Sequence, residues 1–186
     1  LIHVVRAFAD SQIPHVAGEP DPTRDAEIVN TELLLADLEV VERRLEQSKK
    51  AARTDPNAAR AELELLERCR RALARGETLR TLELTEADLP LLKAWGLLSA
   101  KPLFYAANVN WNDPRSLAMA REFEATVGPY PVVPVDGKLE GELALLPPGE
   151  QTSFRAELGL AQSALERLVR VGYQLLGLLT FYTVVG

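Results

Sequence analysis

Leu34, Leu38, Val41 and Leu45 recur at spacings of 4, 3 and 4. That rhythm puts all four on one stripe of a helix and leaves the residues between them to solvent. The stripe begins just after Asp21-Pro22. Asp suits the N-cap, and Pro suits the first helical position, where a missing N–H costs nothing. The helix is expected to reach about Lys50, roughly 40 Å at 1.5 Å per residue. Asp55-Pro56 repeats the start signal, Leu63, Leu66, Cys69 and Leu73 form a second stripe, and Gly76 stands where a helix ends. Two such helices joined by a short polar turn should pack as an antiparallel hairpin.

Around this pair the pattern changes. LIHVVRAF, KPLFYAANV and PYPVVPV are short and apolar, the first two rich in β-branched or aromatic residues, and each is followed by turn residues. They read as strands. Helices are expected at a small segment capped by Thr85, at SLAMAREFEATVG, at KLEGELALL, from Gln151 to Leu158, and from Ser163 to about Leu178. The last leads into TFYTVV, read as a final strand. The uncharged run Val171–Gly186 is 16 residues long, short of the ~20 that span a bilayer, and reads as a core helix running into that strand. Strands alternating with helices argue for a parallel α/β sheet, with the hairpin inserted between two strands. Ligands of such sheets bind beyond the carboxyl ends of the strands. That rule selects two loops, Asn108 to Asn112 and Asp136 to Lys138.

Composition limits the chemistry. With 186 residues and a net charge of −6, the chain is not a dedicated nucleic-acid binder. The single Cys69 excludes an internal disulfide framework, and His3 and His15 are too few for a multi-histidine metal site. No secretory signal is visible, and a reducing cytoplasm is the expected compartment. The chain opens inside one apolar run and stops inside another, which reads as the middle of a longer protein.

Five segments then carry a resemblance: HVVRAF, VAGEPDPTRDAEIVNTELLLADLEVVERRL, LSAKPLFYAANVN, GKLEGELALL and LGLAQSALERLVRVGYQLLGLLTFYT. Together they resemble the YchF subfamily of the Obg-related P-loop GTPases, a branch that prefers ATP, over nearly the whole chain. The resemblance implies the later half of a P-loop NTPase-like parallel sheet with an inserted antiparallel helical hairpin. Residues 1–20 and 99–179 would belong to the nucleotide-binding domain, 21–98 to the insertion, and 180–186 to the start of a TGS-like domain. It further implies ATP or GTP with Mg²⁺, the Mg²⁺ site lying outside this chain, and a partner in the ribosome or its RNA, with neither membrane nor DNA expected. The phosphate-binding motif GxxxxGK[ST] is absent from these residues, so they supply no lysine for the β/γ-phosphates and no catalytic residue.

In that family the base-reading loop follows Asn-x-x-Glu, where most relatives have Asn-Lys-x-Asp to select guanine. Here it is Asn108-Val109-Asn110-Trp111. Asn108 matches as the principal base contact, Val109 replaces the lysine, and Trp111 departs from the glutamate. An indole N–H cannot accept a hydrogen bond, so Trp111 either walls the base by stacking or packs on Pro114. The second base loop, Ser-Ala-Lys in the family, is Asp136-Gly137-Lys138. Asp136 is either a base contact or the N-cap of the next helix, with Gly137 beside it; Lys138 has at most a secondary role. His3 reads as a core or edge histidine and Cys69 as a small core residue.

Between Glu39 and Arg75 stand ten basic and seven acidic residues, a net +3 that leaves −9 for the rest. Arg43, Arg44, Lys49, Lys50 and Arg53 are therefore candidate contacts to RNA or a protein partner. The competing account is a solvated surface laced by pairs such as Glu39–Arg43 and Glu46–Lys50. A rival to the nucleotide switch is a non-catalytic helical-hairpin binding module that no longer holds nucleotide.

Overall fold

The computed structural model describes residues 1–183, apart from the side chains of residues 56–58. It divides into two compact units, one formed by residues 1–26 and 102–186, the other by residues 27–101.

The first unit is built on three parallel strands, β1 (Ile2–Arg6), β2 (Phe104–Asn108) and β3 (Val132–Val135), in the order β1-β2-β3. Register pairs Arg6 with Asn108 and Asn108 with Val135, so all three strands end at one level. One face of the sheet carries Val5, Tyr105 and Ala107, packed with Leu103, Val109 and Phe123 in a buried cluster. Tyr105 meets Phe123 edge to face at 5.0 Å. His3 lies against the Tyr105 ring, and burial holds its pKa below the ordinary histidine value.

The long helix α1 (Pro22–Ala51) starts in this unit, where the Asp21 carboxylate accepts from the N–H groups of Thr23 and Arg24. Its remainder belongs to the second unit, with α2 (Pro56–Ala74), a 3₁₀ turn (Leu79–Thr81) and α3 (Asp88–Trp95). The expected stripes meet there: Val41, Leu45, Leu66, Cys69 and Leu73 are buried, with Leu34, Leu38 and Leu63 packed against them. Gly76 follows α2 with φ +76°, a left-handed conformation that favours glycine. Asp37, only 2% exposed, accepts from the N–H groups of Leu98 and Ser99 at 2.8 and 2.6 Å and fastens α1 to the returning chain. Thr85 precedes α3 without capping it as expected; instead its N–H donates to the Asp88 carboxylate, which helps hold that carboxyl below its usual range.

The first unit is completed by α4 (Pro114–Thr126), α5 (Gly137–Leu143), α6 (Pro148–Glu157) and α7 (Ala164–Leu175). A capping box of Ser163 and Glu166 starts α7, which packs on β2 and β3. The expected final strand is not seen: residues 178–183 follow α7 without regular structure, and the rest of TFYTVV lies outside the described residues. Nor is α7 a wholly buried helix. Ala164, Leu168, Val171 and Leu175 form its sheltered side, whereas Leu165, Val169 and Tyr173 are exposed. No described helix is long and apolar enough to cross a membrane.

Candidate nucleotide-base site

A cleft of about 740 Å³ opens where the three strands end. The chain leaving β1 contributes Phe8, Asp10 and Ile13; the loop after β2 contributes Asn108 to Asn112; Asp136 and Lys138 come from the end of β3. All five residues expected at the base site sit at this one end of the sheet, and Asn108, Val109, Trp111 and Asp136 line the cleft. Gly137 lies beside it, where its N–H donates to Asn108 Oδ1 at 3.2 Å. A Cβ at Gly137 would stand 3.4 Å from that oxygen, an ordinary van der Waals contact. This bond fixes the Asn108 side chain and leaves its amide NH₂ pointing elsewhere.

Asp136 does two jobs at once. Its Oδ1 accepts from the Leu139 N–H at 2.9 Å, capping α5, and its Oδ2 accepts from the Trp111 N–H at 3.0 Å. The cap anticipated from sequence is therefore present, and the same carboxylate ties the two loops together. Val109 is buried in the sheet core and its N–H donates to Val135 O, so it supports the cleft floor. Trp111 is half-buried at the cleft wall, and the Arg167 guanidinium lies 5.7 Å from its ring centroid. Arg167, from α7, is a neighbour of the ring that the sequence did not indicate.

Four residues that shape this end of the sheet were not singled out by the sequence. Ser116, fully buried on α4, donates to Ala7 O at 2.6 Å and accepts from the Asn110 N–H at 2.8 Å, joining the chain after β1 to the loop after β2. Arg6 donates to the carbonyls of Phe8 and Ile13 and sits over the Phe8 ring, folding that stretch onto the rim. From α6, Phe154 and Leu158 add an apolar side. The only clue to Ser116 was its place just inside a helix opened by Asp113-Pro114, and nothing marked Arg6, or the helix expected from Gln151 to Leu158, as part of the cleft.

In the second unit the basic candidates separate. Arg44 lies over the Trp95 ring and Lys49 pairs with Glu67 at 3.3 Å. Arg43, Lys50 and Arg53 are exposed and form no ion pair among the described residues, so the expected Glu39–Arg43 and Glu46–Lys50 pairs do not close. Among the described residues no cluster of His, Cys, Asp and Glu is placed to hold a metal.

No protein-family model matches the chain. Individual proteins do. It is 39% identical over 98% of its length to the ribosome-binding ATPase YchF of Bacillus subtilis (strain 168), and 40% identical over 97% to that of Escherichia coli O157:H7. Its fold superposes on the Schizosaccharomyces pombe YchF GTPase with a TM-score of 0.78, at 26% identity over 94% of the chain. The chain belongs to the YchF family. It spans about half the length of these relatives: 51%, 50% and 49% respectively. The mixed α/β fold with its parallel sheet is thus the fold of the YchF GTPase over the matched region.

Proposed function

We propose that this chain is the base-recognition half of a YchF-type nucleotide switch that binds and hydrolyses ATP, and GTP less well, on the ribosome in the cytoplasm. The observation that carries the proposal is the cleft at the strand ends, with Asn108 oriented on its floor by Gly137. The lining fits a purine: apolar side chains from Phe8, Ile13 and Phe154 for the ring, and the Asn108 amide for a polar edge. Guanine selection calls for a free carboxylate facing N1–H and the exocyclic amine. Trp111 has none, and each Asp136 oxygen already accepts a backbone N–H. That supports adenine over guanine. Val109, Asp136 and Gly137 would act by shaping the pocket. Mg²⁺, held with the phosphates by the family's phosphate-binding motif, would supply the hydrolytic chemistry; these residues would position the base.

The test is nucleotide titration of the full-length protein carrying Asn108→Ala. The expected result is a roughly 5- to 10-fold weaker ATP affinity, about one hydrogen bond's worth; unchanged ATP and GTP affinities would sink the base-site assignment.

The hairpin supports a second, compatible role as an RNA contact, because Arg43, Lys50 and Arg53 are exposed and form no ion pair among the described residues. Reversing all three to Glu should release the protein from ribosomes at moderate salt. Association that ignores these reversals at low salt would reject it. Binding that persists with no nucleotide requirement at all would favour the hairpin-module alternative.

A further inference from the structure

Arg167 stands on the first turns of α7, a helix whose start is locked by the Ser163–Glu166 capping box and whose body packs on β2 and β3. Its position relative to the strand ends is therefore set by the sheet. From there its guanidinium reaches the Trp111 ring, 5.7 Å from the centroid, within the range of a cation–π contact. Trp111 lines the cleft and Arg167 does not, so the cation holds the ring from outside.

Arg167 has little else to hold. Its Nε is buried with no hydrogen-bond partner among the described residues. The acid whose charge it feels is Glu140, but both oxygens of Glu140 are engaged, one by Arg155 Nη2 at 2.8 Å and the other by the Ala164 N–H at 2.7 Å. Burial accordingly holds the Arg167 pKa below its ordinary value. A desolvated guanidinium gains more from an aromatic face than a hydrated one does. At its other end the Trp111 backbone is tied by Asp136. Ring and backbone are thus restrained separately.

We propose that Arg167 is a positioning residue of the base site: it pins the Trp111 indole as a fixed cleft wall, so that a purine is held there by stacking. The inference rests on the base-site assignment above and adds to it a residue 56 positions from Trp111. It also gives the departure at Trp111 a chemical sense. A wall that stacks on any purine takes the place of a carboxylate that reads one of them, and the gain comes with little discrimination between bases.

The experiment titrates ATP and GTP into the full-length protein and its Arg167→Ala, Trp111→Ala, double and Trp111→Phe variants, with Asn108→Ala alongside. Trp111→Ala and Arg167→Ala should each weaken both nucleotides about fivefold or more, and the double variant should be no weaker than Trp111→Ala. Trp111→Phe keeps a ring and should retain most of the affinity, but only while Arg167 is present. Where Arg167→Ala does not fold, Arg167→Met, which keeps the packed stem without the cation, takes its place in the cycle. Additive losses, wild-type affinity in the Arg167 variant, or a lowered melting temperature with affinity unchanged would each overturn the proposal. If Asn108→Ala weakens binding while the Trp111 and Arg167 variants do not, the wall fails and the base site stands. If all are silent, both fall.

Discussion

In residues 27–101 the two helical stripes end inside the fold: Val41, Leu66 and Cys69 have no exposure at all. In the sheet unit an equally regular stripe on α7 stays in solvent, with Leu165 at 68%, Val169 at 49% and Tyr173 at 43% exposed. Both stripes have helical spacing, so periodicity alone cannot separate them. The difference is in the partner. In the hairpin each stripe finds the other across a short turn, whereas α7 has one sheet beneath it and shelters its Ala164–Leu168–Val171–Leu175 side. Amphipathic spacing tells that a face exists; packing decides which face is sheltered.

The sharpest way to break this comparison is to empty each core in turn. Phe123→Ala should cost the sheet unit about 3–5 kcal/mol, since it removes a buried ring and its edge contact with Tyr105. Leu66→Ala, between two helices able to close on the gap, is expected nearer the lower part of a roughly 2–5 kcal/mol range. Urea unfolding of both variants decides the order, and a larger loss at Leu66 would reverse it.

A second comparison uses two carboxylates that each accept two backbone N–H groups, Asp37 in the hairpin unit and Asp136 at the cleft. Asp37→Ala leaves two N–H groups unpaired in a closed interior and should cost about 3 kcal/mol. Asp136→Ala opens beside the cleft, where solvent can reach the freed N–H groups, so its loss should resemble that of a helix cap, about 1–2 kcal/mol. Equal destabilisation in denaturant would show that the cleft shields its carboxylate as fully as the hairpin does.

The last effect concerns pH. Burial pushes the Cys69 thiol up to about 11 from an ordinary 9.0. The unfolded chain releases this proton first, so the contribution is intact below pH 9 and is lost as pH rises from about 9 to 11. The slope is at most about 1.4 kcal/mol per pH unit. Measured against Cys69→Ala, the wild-type stability advantage should shrink between pH 8 and pH 10.5; a constant gap would place the thiol in contact with water.

Much of the architecture could be read from local signals, because those signals are themselves local interactions. Asp21-Pro22 marks a helix start through hydrogen bonds two and three residues away. The Ser163–Glu166 box works over the same distance. Asn108 was found because strands end where β-branched and aromatic runs give way to turn residues. The strand expected in TFYTVV shows the limit of that reasoning. Residues 180–183 have strand-like composition but no strand beside them, and β-structure is stabilised by pairing rather than by the segment alone.

By itself, then, the sequence determined the two-helix hairpin, the parallel alternation of strand and helix, and the placing of Asn108 and Asp136 at strand ends. Each follows from spacings of a few residues. Tertiary structure alone decided that Asp136 clasps Trp111, that Ser116 bridges Ala7 and Asn110, and that Arg167 covers the indole. These partners come from separate elements, and no local pattern encodes a contact that exists only once the sheet has brought its strand ends to one level.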